Sequence, residues 1–325
     1  ADSSEQELLD ELDDRLNQAV ESRMVSDVPL GAFLSGGFDS TTVAAVMQAQ
    51  SNKPIKTFSI GTHSENDEAH HARAVAEYLG TDHTEWYVTP EDAMAVIPRL
   101  PELYDEPFAD SSQIPTFLVS QLARAHVTVS LSGDGGDELF AGYNRHVMGP
   151  AVWSRASRLP AGLRHTLGAG LGKLSSMDWQ RLMKVLPGRA QVSDLELKLE
   201  KVASALKARN DTDFYKDLVS QWKNPESLVL GAQEPQTLLD TPEKLPDLPG
   251  LREQMLYLDM KTYLPDDILT KVDRASMGVS LEARVPLLDH RLVEFAWRVP
   301  TEYKYRDGKG KWLLRQVLYR YVPES

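Results

Sequence analysis

The sequence contains no cysteine, which excludes disulfides and a thiol nucleophile and suits a reducing compartment. It has no apolar run long enough to span a bilayer and shows no signal or transit peptide. A cytoplasmic protein without a membrane span is therefore expected. Positive charge is scarce: 35 Lys and Arg against 48 Asp and Glu leave a net charge of −13. That balance argues against general nucleic-acid binding. No initiator Met is present, and with the acidic start Ala1-Asp2-Ser3-Ser4-Glu5 a fragment or processed chain is expected. What is there is 325 residues, 42% of them hydrophobic, enough for one large or two modest domains.

The most informative stretch is Ser35-Gly36-Gly37-Phe38-Asp39-Ser40. It follows the apolar run Val28 to Leu34, which reads as a buried strand, and precedes Thr41 to Met47, which reads as a helix with little polar surface. A strand that turns through two glycines into a helix gathers unpaired backbone N–H groups at the positive end of the helix dipole. Such a turn suits an anion such as phosphate. The turn is neither a Walker A loop nor G-x-G-x-x-G. Asp39 would repel a phosphate unless a cation lay between them, so the turn implies Mg²⁺ as well. Taken alone, the same residues also fit an ordinary tight turn.

Strand and helix alternate through the first half. Ser4 and Glu7 have capping-box spacing, and Leu8, Leu12 and Leu16 repeat every four residues into a helix ending near Arg23. Ile55 to Ile60 and Glu85 to Val88 read as strands, with a helix from Asp67 to Leu79 closed by Gly80 between them. Thr89-Pro90-Glu91-Asp92 opens another helix. A helix from about Ser112 to Ala125 leads to a fourth strand, Val127 to Leu131. The fold class predicted is α/β, a doubly wound parallel sheet over residues 1–150. From about Pro150 the pattern is helical with no convincing strand, so 151–325 is expected to be a mainly helical part that completes the site.

Residues 151–190 hold seven basic residues (Arg155, Arg158, Arg164, Lys173, Arg181, Lys184, Arg189) against the single acid Asp178. That reversal reads either as a solvated helix face or as a docking surface for an anionic partner. The proline-rich piece from Glu234 to Pro249 reads as a surface connection.

The fourth strand runs into a second glycine-rich bend, Ser132-Gly133-Asp134-Gly135-Gly136-Asp137-Glu138, with three acids in five residues. In parallel sheets ligands bind outside the carboxyl ends of the strands, where the strand order reverses. If the first and fourth strands are neighbours, the two bends face each other, and Asp39 and Asp137 could share Mg²⁺ over a pyrophosphate.

With both bends in hand, the sequence resembles the asparagine synthetase family of the N-type ATP pyrophosphatase (PP-loop) superfamily. Ser35 to Ser40 looks like the family's pyrophosphate loop, and Ser132 to Tyr143 like its second ATP loop. Tyr263 to Asp267, Lys271 to Arg274, Ser280 to Asp289 and Gly308 to Arg315 are similar to it in the same order. The resemblance implies an adenine nucleotide alpha hydrolase-like sheet. It also implies a ligase that activates a carboxylate with ATP and Mg²⁺ as an acyl-adenylate, then amidates it with ammonia. Carried over residue by residue, Ser35, Gly37, Asp39 and Ser40 hold the pyrophosphate end, Leu34, Ile60 and Gly133 lie along the adenosine, and Gly36, Ser132 and Asp137 belong to the same nucleotide site. Asp39 and Asp137 are the implied metal ligands. Lys311 matches the lysine that stabilises charge at the activated carbonyl. Locally, Gly308-Lys309-Gly310-Lys311 reads equally as a surface turn, Tyr143 as a core aromatic or a site wall, and Glu282 with Arg284 as an internal ion pair or a wall of the acceptor site.

Two departures from the family pattern bear on the substrate. Asp134 stands where asparagine synthetases usually carry Glu for the ammonia proton; its chemistry is the same and its reach shorter. The segment Phe108 to Gln113 lacks the arginine that would clamp a free α-carboxylate. The resemblance thus points to a small-molecule or glycan and cell-wall carboxylate, with free aspartate in question. The family's N-terminal glutaminase domain begins with a cysteine and is absent from this chain, which would need free ammonia. The end at Tyr321 to Ser325 is early for the family, and a homodimer is compatible with it. A β-lactam synthetase-like cyclase and a non-catalytic ATP-binding scaffold are the alternatives.

Overall fold

The computed structural model describes residues 4–62, 67–171, 202–203, 205–220, 222, 225–229 and 231–324. It divides into two compact units, one of residues 1–143 with 259–325, the other of 144–258.

The first unit opens on the helix Glu5–Met24, started by a capping box in which Glu7 N donates to Ser4 Oγ (3.3 Å) and Ser4 N to Glu7 Oε2 (2.7 Å). Its period of four buries Leu8, Leu12, Leu16 and Val20, each worth about 1.5–3 kcal/mol. The sheet has five parallel strands: β1 (Leu30–Phe33), β2 (Lys56–Gly61), β3 (Asp82–Tyr87), β4 (Val129–Leu131) and β5 (Glu282–Arg284). Their order is β3-β2-β1-β4-β5, a doubly wound α/β arrangement. Ala32 and Leu34 pack into a cluster with the helices Glu5–Met24, Phe38–Ala49 and Trp312–Leu318. Phe33 and Phe58 pack into another, with Ala123 of the helix Gln113–Arg124.

β5 corrects the expectation that no strand follows Pro150 in the mainly helical part. Glu-Ala-Arg carries no alternating apolar signal; it is a strand because it pairs with β4 in the register Val129↔Glu282, Ser130↔Ala283, Leu131↔Arg284. A small antiparallel hairpin, Tyr305–Arg306 with Lys309–Gly310, likewise lies in that region.

The chain winds outward from β1 to β3 and returns to β4 on the other side of β1. The first and fourth strands are therefore neighbours, with Leu30↔Val129 and Ala32↔Leu131 in register, and the order reverses between them.

The second unit is helical, with Asn144–Ala156, Ala161–Leu171, Asp211–Val219 and Leu251–Leu258 among its elements. Its core gathers Trp153, Phe214, Tyr215, Met255 and Leu258, the first two rings stacking at 5.2 Å. Of the basic stretch, Arg155 and Arg158 are exposed, whereas Arg164 is buried with its guanidinium 5.0 Å from the Trp153 ring. Lys173, Arg181, Lys184 and Arg189 lie outside the described residues. The proline-rich connection forms short 3₁₀ turns at Leu238–Asp240 and Pro242–Lys244.

Candidate active site

β1 ends at Phe33, and the chain turns through Gly36 (φ +76°) into the helix Phe38–Ala49. Only glycine fits at 36: a methyl there would lie 2.6 Å from His71 Cβ, on a backbone that L side chains rarely adopt. Gly37 is the N-cap and no side chain caps the helix, so its first-turn N–H groups are left for an anion. The two serines brace the bend. Ser35 Oγ and Ser40 Oγ are 2.9 Å apart, and Ser40 Oγ donates to Gly37 O at 3.2 Å.

The second bend leaves β4 and enters the helix Gly136–Phe140 through Gly135 (φ +92°). Ser132 N donates to Arg284 O (2.8 Å), fastening the bend to β5. Ser132 Oγ donates to the carboxylate of Asp134. The two bends touch. A methyl on Gly133 would come within 2.5 Å of Ser40 N, and one on Gly136 would collide with the Asp39 carboxylate.

Lys311 closes the site from a third chain segment. It sits at φ +57° at the start of the helix Trp312–Leu318, held by its N–H to Phe140 O (2.8 Å). A left-handed non-glycine residue costs roughly 1–2 kcal/mol and is often found at functional sites. The ammonium is 2.5 Å from Asp39 Oδ2 and 2.8 Å from Asp137 Oδ1. Gly142 makes room for this, since a methyl there would overlap Asp137 and the Lys311 stem.

Burial pushes the Asp39 carboxyl up to about 6, with Lys311 opposing and Asp137 and Asp134 adding to the rise. It is still a carboxylate at neutral pH. Burial also raises Asp134, against the Ser132 hydrogen bond and the Lys271 charge. For Lys311 burial works against the charge, yet Asp39 and Asp137 hold its pKa above the ordinary lysine value. Glu138 is almost wholly buried, and burial raises it to about 7 although Tyr143 Oη donates to its Oε1 at 2.7 Å.

These groups line one cavity of about 400 Å³, with Ser35, Gly37, Asp39 and Ser40 from the first bend and Ser132, Gly133, Asp134, Gly135 and Asp137 from the second. Glu138, Tyr143 and Lys311 share it. Leu34 and Ile60 line an adjoining, mostly apolar cavity of about 220 Å³ that shares Phe33, Ser35, Thr116 and Val119 with the first. Glu282 is not brought to the cavity; its half-exposed carboxylate takes Arg284 Nε at 2.6 Å, while Arg284 also donates to Arg23 O and Val25 O. Sequence reasoning missed Ser112, Thr116 and Lys271 on the cavity wall. The signal for Lys271 was the family-like segment Lys271 to Arg274, which carried no role of its own, whereas Ser112 stood in the segment read only for its missing arginine.

The donor set fits magnesium. Asp39 Oδ1 is buried with no hydrogen-bond partner, and two carboxylates supply hard oxygen donors. Among the described residues no group of three or more His, Cys, Asp or Glu side chains is placed to hold a metal. An ion here would take further oxygens from a bound phosphate or water.

The family model for asparagine synthase matches residues 11–325. The chain belongs to the asparagine synthase family. It is 32% identical over 332 residues to asparagine synthetase (glutamine-hydrolyzing) 1 of Bacillus subtilis strain 168, covering 99% of this chain and 48% of that protein. A putative asparagine synthetase of Methanocaldococcus jannaschii is 37% identical over 278 residues, covering 83% and 49%. One of Mycobacterium tuberculosis H37Rv is 33% identical over 325 residues, covering 98% and 47%. The chain spans about half the length of these curated relatives. Among the described residues of this asparagine synthase-family chain, no helix is long and apolar enough to cross a membrane.

Proposed function

We propose that the cavity between β1 and β4 adenylates a carboxylic acid and passes ammonia to it, giving an amide, AMP and pyrophosphate. The observation that carries this reading is the convergence of Asp39, Asp137 and Lys311 beside an uncapped helix start.

The acceptor's carboxylate oxygen attacks the α-phosphorus, and the bond to the bridging oxygen of pyrophosphate breaks. The first-turn N–H groups of Phe38–Ala49, with Ser35 and Ser40, hold the departing phosphates. Mg²⁺ held by Asp39 and Asp137 would supply charge neutralisation to the phosphate oxygens. Ammonia nitrogen then attacks the acyl carbon, negative charge builds on the carbonyl oxygen, and AMP leaves as the carbonyl reforms. Lys311 is the cation for that oxygen, a role in which a fixed, preorganised charge counts heavily. Asp134 accepts the proton that the attacking nitrogen loses. The apolar cavity at Leu34 and Ile60 suits adenine. Glutamine would be the nitrogen source in a longer protein.

The test is pyrophosphate release with ATP, Mg²⁺ and ammonium against L-aspartate, L-glutamate, meso-diaminopimelate and D-glucuronate. Release that requires both ammonium and one acid is expected. Release without ammonium would instead indicate internal ring closure, and no release with any acid would leave a nucleotide-binding scaffold.

A further inference from the structure

The half-buried Arg315 lies one turn beyond Lys311, in the helix Trp312–Leu318. Its backbone N–H donates to Lys311 O at 2.8 Å, and its side chain turns back so that Nε donates to Gly310 O at 2.9 Å. The Lys311 N–H goes to Phe140 O at 2.8 Å. The peptide planes on both sides of the Lys311 Cα are therefore pinned, one at its N–H and its oxygen, the other at its oxygen. Gly310 is seated as closely, since a methyl there would lie 2.1 Å from Ala141 O. A lysine ammonium rides on a flexible four-carbon stem, so its place depends on how firmly the stem is rooted.

The guanidinium of Arg315 also settles on Phe38. Its carbon lies 3.6 Å from the ring centroid, against 4.6 to 5.8 Å for the other guanidinium–ring pairs among the described residues. That is van der Waals contact as well as charge on a ring face. Among the described residues Arg315 forms no salt bridge, whereas Arg298, Arg306 and Arg320 of the same region each meet a carboxylate. Its contacts are a ring and a carbonyl instead. Phe38 opens the helix Phe38–Ala49 between Gly37 and Asp39 and lines the cavity. Arg315 thus joins the root of Lys311 to the first glycine-rich bend. A lysine at 315 would not do both, because only a guanidinium offers a flat face together with an N–H in its plane.

We infer that Arg315, seated on Phe38, is a positioning residue that sets where the Lys311 ammonium stands relative to the first bend. It acts through the Lys311 backbone, not on the reacting atoms. Its effect on turnover rests on the amide-forming reading of the site, whereas its hold on Lys311 between Asp39 and Asp137 does not. Loosening Lys311 frees both carboxylates for a divalent cation, so metal affinity reports the place of the lysine without any reaction.

The experiment compares the wild type with Arg315→Gln, Arg315→Lys, Phe38→Leu, Phe38→Tyr and the double variant Arg315→Gln/Phe38→Leu. Each is measured for Mn²⁺ binding without nucleotide, by electron paramagnetic resonance, and for steady-state pyrophosphate release with ATP, Mg²⁺, ammonium and the same four acids. Arg315→Gln and Phe38→Leu should each bind Mn²⁺ about threefold or more tightly and lose about tenfold or more in kcat, with the KM for ATP kept within about twofold. The double variant should fall within about twofold of the poorer single one, because two residues acting as one device are not additive. Arg315→Lys should resemble Arg315→Gln, while Phe38→Tyr, which keeps the ring, should stay within about threefold of the wild type. Unchanged Mn²⁺ affinity in Arg315→Gln, whatever its kcat or melting temperature, would overturn the positioning role in favour of plain packing. A rise in KM for ATP as large as the fall in kcat would overturn it in favour of a phosphate contact. Losses that multiply in the double variant, or wild-type values in Arg315→Lys, would overturn the coupling to Phe38. A wild type that releases no pyrophosphate with any acid overturns the amide-forming reading alone, since Mn²⁺ binding still decides where Lys311 is held.

Discussion

Lys311 Nζ stands 2.5 Å from Asp39 Oδ2, although the two residues are 272 positions apart. The same ammonium meets Asp137 at 2.8 Å, so one lysine neutralises both carboxylates proposed to hold magnesium. A buried pair of like charges is costly without such a cation. Lys311 and a metal ion therefore compete for the same two oxygens.

That competition can be measured with the metal alone. Lys311→Met is expected to bind Mn²⁺ at least tenfold more tightly than the wild type in the absence of nucleotide, read by electron paramagnetic resonance. In turnover the same variant should lose about a hundredfold or more in kcat, the scale of one lost oxyanion donor, with ATP binding largely kept. Unchanged Mn²⁺ affinity would count against the competition, and equal loss of ATP affinity against the carbonyl role.

Asp39→Asn and Asp137→Asn remove one charged ligand each. Both variants should lose at least tenfold in pyrophosphate release and need more Mg²⁺ for half-maximal rate. Magnesium titrations of the steady-state rate decide it; if neither curve moves, the two aspartates do not share a metal.

Gly142→Ala tests the spacing rather than the chemistry. Its methyl would overlap Asp137 and the Lys311 stem, so both must shift. Activity should fall at least tenfold while the melting temperature drops by only a few degrees. Full activity would show that the contact yields without consequence.

Glu138→Gln addresses pH. Burial raises Glu138 from 4.5 to about 7, so between those values the folded protein keeps a proton that the unfolded chain releases. Its contribution to stability is complete below the unfolded pKa and is lost as pH rises through the folded one. Wild-type stability relative to Glu138→Gln should therefore fall between pH 4.5 and 7, by on the order of 1–3 kcal/mol. Urea denaturation across that range measures it, and a flat difference would rule out the raised carboxyl.

Much of the frame was legible in the sequence. Ser4 with Glu7, Gly36-Gly37 after an apolar run, and Thr89 before Pro90 each set a helix start through bonds and dihedrals within a few residues. β5 was not legible, because Glu282–Arg284 is a strand only through its ladder to β4. Glu282 and Lys311 looked alike as charged residues in family-like segments. The fold turns one outward to Arg284 and the other inward to Asp39.

The sequence by itself determined two anion-suited bends, each with an aspartate, on an alternating α/β chain, since short-range backbone geometry and apolar periodicity suffice for that. Only the tertiary structure decided that β1 lies beside β4, that Lys311 joins Asp39 to Asp137, and that Lys271 reaches back 161 positions to Asp110. Those meetings depend on how helices and strands pack across the whole unit, and no local pattern of residues encodes them.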